Sequence, residues 1–193
     1  MPTLRTIRLR IKGTKNIKQI TRAMEAVSAV KMRKSQSVAL AARPYATAAL
    51  NLLKSVQSGA PEGSAVFSPL LEKREVKDTL RVLVTSDKGL AGSFNANVLK
   101  KADAFTRTVT GTVTIATVGK KAGDYFTRRG RTPIVALTGY GDYAEISQVQ
   151  PIFDAVVEAF NAKKADEVYI IYTNFLSAMK QEVVVRKLLP FSE

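Results

Sequence analysis

The stretch best placed to do chemistry is SDKGLAGSFNAN at residues 86–97, where Asp87 and Lys88 stand beside two glycines directly after an apolar run. In an open α/β sheet, a glycine-bearing turn between a strand and a helix is where phosphates and dinucleotides commonly bind, because the helix N-terminus presents free N–H groups there. The spacing here is Gly89-x-x-Gly92, which is neither G-x-G-x-x-G nor G-x-x-x-x-G-K-[ST], and no acidic residue closes the second apolar run to hold a ribose. Glycines that let the chain turn and pack closely account for the pattern more simply. Asp87 and Lys88 have no second carboxylate close by in sequence, and the chain contains no histidine and no cysteine. Nucleophilic and acid–base pairs, disulfides and the usual zinc ligand sets therefore find no residues to use, and no catalytic, metal or cofactor-binding residue is assigned. Gly139-Tyr140-Gly141-Asp142 reads as a turn into a helix, with Asp142 as a candidate cap.

The elements that position this loop are legible as short β-branched runs alternating with helical patterns. The runs cover residues 80–85, 112–118, 133–137 and 168–173, each apolar almost throughout, as expected of strands covered on both faces. Between them, Phe94, Val98, Ala102 and Phe105 share one helix face, residues 119–129 supply a short helix, and Ile146, Val149, Phe153, Val156 and Phe160 mark a third. Three strand–helix–strand repeats predict a mainly parallel, open Rossmann-like α/β domain with right-handed crossovers. A last run at 183–189, ended by Pro190, adds a candidate edge strand.

Ahead of this domain, residues 3–56 read as one long helix. Residues 1–43 hold 11 lysines and arginines against the single acid Glu25, so most of the chain's net charge of +14 sits there. At 1.5 Å per residue such a helix runs to roughly 80 Å and is expected to protrude. Leu4, Ile7, Ile11, Ile17, Ile20, Met24, Val27 and Val30 fall three or four apart, the spacing of a coiled-coil stripe, with a slip at Gly13 to Asn16. Alanines beyond Lys34 let another backbone approach closely, and Pro44 is expected to kink the helix or end a turn. The organisation is thus a basic helix at 1–56, a linker or loop at 57–78 that is rich in Gly, Ser and Pro over 57–68, and an α/β domain at 79–193. No apolar run approaches the ~20 residues that span a bilayer, and the N-terminus lacks the apolar core of a signal peptide.

Two readings of the charge compete with a protein partner. A basic helix carrying Lys31-Met32-Arg33-Lys34 has the footprint of a nucleic-acid-binding module, and a Rossmann-like sheet could serve a nucleotide-dependent enzyme. The regular apolar stripe and the scarcity of aromatics on the helix fit an acidic protein surface better than a polyanion.

The motifs NIKQITRAMEAV at 16–27, KMRKSQ at 31–36 and RPY at 43–45 resemble the N-terminal helix of the F-type ATP synthase gamma subunit, bacterial type. SDKGLAGSFN at 86–95 is similar to that family's loop after its first strand, and residues 172–190 resemble the segment closing its α/β domain. The resemblance implies a non-catalytic rotor: a central-stalk subunit whose shaft sits in a ring of alpha and beta subunits, with epsilon and the membrane c ring as further partners. It implies that c-ring rotation is coupled to conformational change at the catalytic beta sites. Contact with the alpha/beta ring is implied for Ile20, Met24, Val27, Lys31, Arg33 and Lys34 on the helix, and for Asp87, Lys88 and Ala91 in the loop. The implied location is the cytoplasmic face of a bacterial plasma membrane, as a peripheral subunit held there by the complex, with no nucleic-acid partner. Where the family usually has Cys-Gly this chain has Ala91-Gly92, and the redox-regulated insertion of photosynthetic versions has no counterpart.

The family also implies a long C-terminal helix antiparallel to the first, which these 193 residues do not include. Without it, the stripe through Ile17, Ile20 and Met24 lacks its expected partner. The chain alone should give a cooperatively folding α/β domain with a frayed or self-associating helix. Circular dichroism and sedimentation equilibrium test this; a fully helical, strictly monomeric protein would contradict it.

Overall fold

A computed structural model describes residues 3–58, 68–108, 111–141 and 145–191. It divides into two units, Met1–Ala60 and Pro61–Glu193.

The first unit is a single helix, α1 (Leu4–Ser58), 55 residues long. Thr3 starts it: its carbonyl accepts the Ile7 N–H at 3.1 Å and its hydroxyl accepts the Thr6 N–H at 3.4 Å. The weak helix formers at 13–16 do not interrupt it, and Thr14 turns its hydroxyl back to the Arg10 carbonyl at 2.9 Å. Pro44 does not end a turn either; it lies inside the helix. A proline removes one N–H and crowds one carbonyl, and the alanines on both sides supply the strongest helix propensity available to offset that. The apolar stripe is uncovered: Ile20, Met24 and Val27 are each more than half exposed.

The second unit is built on a five-stranded sheet in the order β3-β2-β1-β4-β5. Its strands are β1 (Asp78–Val84), β2 (Thr112–Val118), β3 (Val135–Leu137), β4 (Glu167–Phe175) and β5 (Gln181–Leu189). The first four run parallel, and β5 closes one edge antiparallel to β4. Helices α2 (Phe94–Thr106), α3 (Lys120–Thr127) and α4 (Ile146–Asn161) make the crossovers. On one face Leu83, Ile115 and Ile171 pack with Val98 and Ala102 of α2 and with Ala122 and Phe126 of α3. On the other, Leu80, Val82, Ala116 and Val168 pack with Ile152, Val156, Ala159 and Phe160 of α4. The covering helix changes face between β1 and β4, so the switch point of the sheet lies there.

Three features of the α/β unit go beyond what the sequence specifies. The buried face of α4 is turned by roughly 55° from the stripe expected, at 100° per residue. Ile152 and Ala159 join Val156 and Phe160 in the core, while Ile146, Val149 and Phe153 are exposed. The heptad-like spacing of 146, 149, 153, 156 and 160 drifts around a 3.6-residue helix, and the sheet selects the side that presents a small alanine to it. The start of α4 is set by Glu145, whose N–H is accepted by Gln148 Oε1 at 3.1 Å, whereas the candidate cap Asp142 lies outside the described residues. Finally, Arg81, the charged residue within the run at 80–85, is buried at the centre of β1 with 1% exposure.

Residues 68–77, read as the end of a linker, hold a 3-10 turn at Pro69–Leu71 and then lean on the core. The Arg74 guanidinium lies 4.5 Å over the Phe160 ring and donates to the Phe160 carbonyl at 2.8 Å. Asp166, just before β4, then registers the sheet by accepting the Lys77 and Asp78 N–H groups at 2.9 Å each. Those backbone bonds hold its carboxyl below the ordinary value of 3.8, against a smaller opposing effect of burial. A carboxylate with a depressed folded pKa contributes stability that is present above the unfolded value and lost as pH falls through the folded one. Asp166→Asn should therefore cost about 1–3 kcal/mol at neutral pH and flatten the loss of stability below the ordinary aspartate range. Urea unfolding across an acid pH series measures both effects.

Candidate functional site

The C-terminal ends of the parallel strands converge on residues 85–95, and the backbone there is held from within. Thr85, buried at the end of β1, donates its N–H to the Val118 carbonyl at 2.8 Å, and its hydroxyl accepts the Ala122 N–H of α3 at 3.0 Å. Gly119 must pass directly over it. With φ +93°, a Cβ there would meet the Thr85 carbonyl oxygen at 2.2 Å, so only glycine fits. Ser86 and Asn95 clamp the two ends of the loop together: the Ser86 N–H reaches Asn95 Oδ1 at 3.0 Å, and Asn95 Nδ2 reaches Ser86 Oγ at 2.8 Å.

Asp87 is the centre of this arrangement. Its Oδ1 accepts the Lys120 N–H at the start of α3 at 2.8 Å, and its Oδ2 accepts the Gly139 N–H after β3 at 2.8 Å. The free N–H groups of a helix N-terminus attract anions, and here the protein's own carboxylate takes that place. Tyr140 packs alongside, its hydroxyl pushed up in pKa first by burial and then by the Asp87 charge.

The start of α2 is open by comparison. A recess of about 440 Å³ lies between Ala91, Ser93 and Asn97 on one side and Thr173, Met179 and Gln181 of the β4–β5 hairpin on the other. Among the described residues no charged side chain lines it, so it offers nothing to neutralise a phosphate. Leu90, at φ 59°, stands almost wholly exposed at the loop tip, and Met179 is equally exposed on the hairpin. The sheet edge that could have held a nucleotide is thus sealed by a carboxylate at α3 and carries apolar tips at α2.

Of the residues singled out from sequence, Asp87, Lys88 and Ala91 share this loop but not one role. Asp87 is half-buried and turned to the backbone, Lys88 is exposed, and Ala91 lines the recess. Ile20, Met24, Val27, Lys31, Arg33 and Lys34 lie along α1, in the other unit. At 100° per residue, Lys31 and Lys34 continue the stripe of Ile20, Met24 and Val27, while Arg33 falls on roughly the opposite side. One helix surface therefore passes from apolar to basic along its length. The roles of Thr85, Asn95 and Gly139 could not be read from sequence, because the contacts that matter join distant segments; the Thr-Ser-Asp run ending an apolar strand was the local sign for Thr85.

A family model described as ATP synthase matches residues 3–193. The chain is 40% identical over 190 residues to the ATP synthase gamma chain of Pelotomaculum thermopropionicum, an alignment covering 98% of this chain and 66% of that one. It is 40% identical over 194 residues to the gamma chain of Chloroflexus aurantiacus, covering 98% and 67%. The chain thus spans about two thirds of the length of these curated relatives. Among solved structures, the central stalk and c-ring of Tetrahymena thermophila mitochondrial ATP synthase superposes with a TM-score of 0.70 at 24% identity, covering 89% of this chain and 72% of that one. The rotor of Euglena gracilis mitochondrial ATP synthase gives 0.61 at 20% identity, covering 95% and 62%. At such identities these two likenesses are of fold.

Asp87→Ala would orphan the N–H groups of Lys120 and Gly139 and should lower stability by about 2–3 kcal/mol. Lys88→Ala, one residue on and exposed, should stay within about 0.5 kcal/mol of the parent. Equal urea midpoints for the two variants would show that the carboxylate does not hold the loop.

Proposed function

Because the chain belongs to the ATP synthase gamma-chain family, we propose that it is the rotor portion of an F-type ATP synthase, coupling c-ring rotation to conformational change at catalytic beta subunits. It does no chemistry of its own. The observation that carries this reading is α1: 55 residues of continuous helix whose apolar stripe is exposed along its length and becomes basic at Lys31 and Lys34. A helix serves as a shaft if it is long and stiff, packs on another helix along one side and is attracted by charge on a surrounding surface. Long-range attraction tolerates rotation, whereas interlocked packing does not.

In this proposal residues 1–56 are the shaft, 57–78 the connection and 79–193 the domain that meets epsilon and the c ring. Ile20, Met24 and Val27 pack within the shaft or against the alpha/beta ring. Lys31, Arg33 and Lys34 face acidic segments of that ring, and Lys88 and Ala91 contact a moving beta subunit through the loop that Asp87 holds in shape. The self-occupied anion position at Asp87 and the uncharged recess beside α2 support a binding role over a nucleotide-dependent one. Among the described residues no helix is long and apolar enough to cross a membrane. Attachment at the cytoplasmic face of a bacterial membrane then comes through the partner subunits.

Replacing Lys31, Arg33 and Lys34 together by glutamine in the assembled complex should lower coupled ATP synthesis several-fold while leaving subunit stoichiometry intact. Synthesis at the parental rate would remove the charge-attraction part of the proposal. Failure of this chain to co-purify with alpha and beta subunits would remove the rotor reading itself.

A further inference from the structure

The helices α2 and α3 cover one face of the sheet and are tied to each other by the Tyr125 hydroxyl, which donates to Asp103 Oδ2 at 2.5 Å. From residue 94 to residue 131 the chain holds eight lysines and arginines against two acids, Asp103 and Asp124. Asp103 is taken by Tyr125, and Asp124 is half-buried. Among the described residues, no ion pair involves any of these cations. Counting 100° per residue from the buried Val98 and Ala102, Lys100 and Arg107 project from the solvent side of α2. Lys120 and Arg128 do the same on α3, counted from Ala122 and Phe126. All four are exposed.

The opposite face of the sheet differs in both respects. Its helix, α4, carries Asp154 and Glu158 and no lysine or arginine. Large apolar side chains are exposed there at Ile146 and Phe153, and at the tips Leu90 and Met179. Between residues 94 and 131 no described large apolar side chain is exposed. A protein–protein interface depends on a few buried apolar or aromatic anchors, with charge kept to the rim. The α2–α3 face presents no such anchor, and without an exposed aromatic ring it has nothing on which bases could stack. Charge without an apolar centre is matched by a fluid anionic surface, whose headgroups move to meet the cations and require no fixed shape.

We propose that the outer face of α2 and α3 docks electrostatically on an anionic lipid surface, with Lys100, Arg107, Lys120 and Arg128 among the headgroups. The contact is peripheral, because nothing on the face is apolar enough to enter the acyl region. It therefore fades within a Debye length and weakens with salt. The opposite sign on α4 turns that helix away from the lipid and leaves Ile146 and Phe153 for protein contacts. Mobile headgroups hold the domain near a membrane without fixing its angle. The inference deepens the rotor reading and rests on it only for bringing a membrane within reach; the lipid affinity itself belongs to the α/β unit.

Because α1 is basic as well, total binding to vesicles does not isolate this face, and the test is local. The chain has no cysteine, so a bimane label can be placed on Ala104→Cys, exposed on α2, or on Ser147→Cys, exposed on α4. On phosphatidylglycerol vesicles carrying a nitroxide headgroup lipid, the label on α2 should be quenched at least ~3-fold more than the label on α4 at low salt. That difference should vanish on phosphatidylcholine vesicles and in roughly 0.5 M sodium chloride. Lys100→Glu, Arg107→Glu, Lys120→Glu and Arg128→Glu together should abolish it while α1 still carries the chain to the vesicle, and the four glutamine replacements should weaken it several-fold without repulsion that could disturb folding. Equal quenching of the two labels in the parent, or a difference that survives the glutamine replacements, overturns the proposal. Nonspecific duplex DNA bound more tightly than the vesicles at matched salt, with that preference lost in the glutamine variant, assigns the face to nucleic acid and overturns it too. Failure to co-purify with alpha and beta subunits while the quenching difference persists removes the rotor reading and leaves the lipid contact standing.

Discussion

The α/β unit depends on one carboxylate satisfying two backbone donors that belong to different crossovers. Asp87 follows β1, yet the N–H groups it accepts come from the start of α3 and from the turn after β3, 33 and 52 residues away. Remove that anchor and the strand ends lose their common point of attachment, because Gly119 and Thr85 meet in the same few ångströms. The loop beside it can then afford to display Leu90 and Ala91 outward, since its shape is fixed from behind. Binding loops on rigid supports generally work in this way: the framework is satisfied internally and the tip is left unpaired.

Much of the fold was legible because its signals are local. Parallel strands buried on both faces must be apolar runs, and the runs at 112–118 and 183–189 coincide with β2 and with most of β5. The long helix was legible for the same reason, as its stripe repeats every three or four residues whether or not anything covers it. Where the reading failed, a nonlocal choice decided. Periodicity shows that α4 has an apolar side, but Ile146 and Phe153 fit it as well as Ile152 and Ala159, and only the sheet selects between them. Of the two expectations for Pro44, ending a turn is set aside by its place inside α1, in a strongly helical neighbourhood.

The candidate residues divide along the same line. Those proposed on α1 lie on a regular stripe and in a run of charge, both local patterns. The role of Asp87 could not, since an aspartate beside glycines looks alike whether it awaits a ligand or a backbone amide. The burial of Arg81, a feature of the fold rather than of a candidate site, was hidden for another reason. A single cation in an apolar strand resembles a surface position until the burial of that strand is known, and its unmet donors exist only in three dimensions.

The edges of the sheet have a bearing on how the molecule behaves in company. A sheet edge with unpaired backbone groups recruits other chains, yet β3 extends over only three residues and β5 places Glu182, Arg186 and Lys187 along its outer strand. Short, charged edges discourage strand-to-strand aggregation. Beside a long basic helix whose apolar stripe is exposed among the described residues, such edges add no second adhesive surface: helix packing demands a matching partner, whereas backbone pairing accepts almost any sequence.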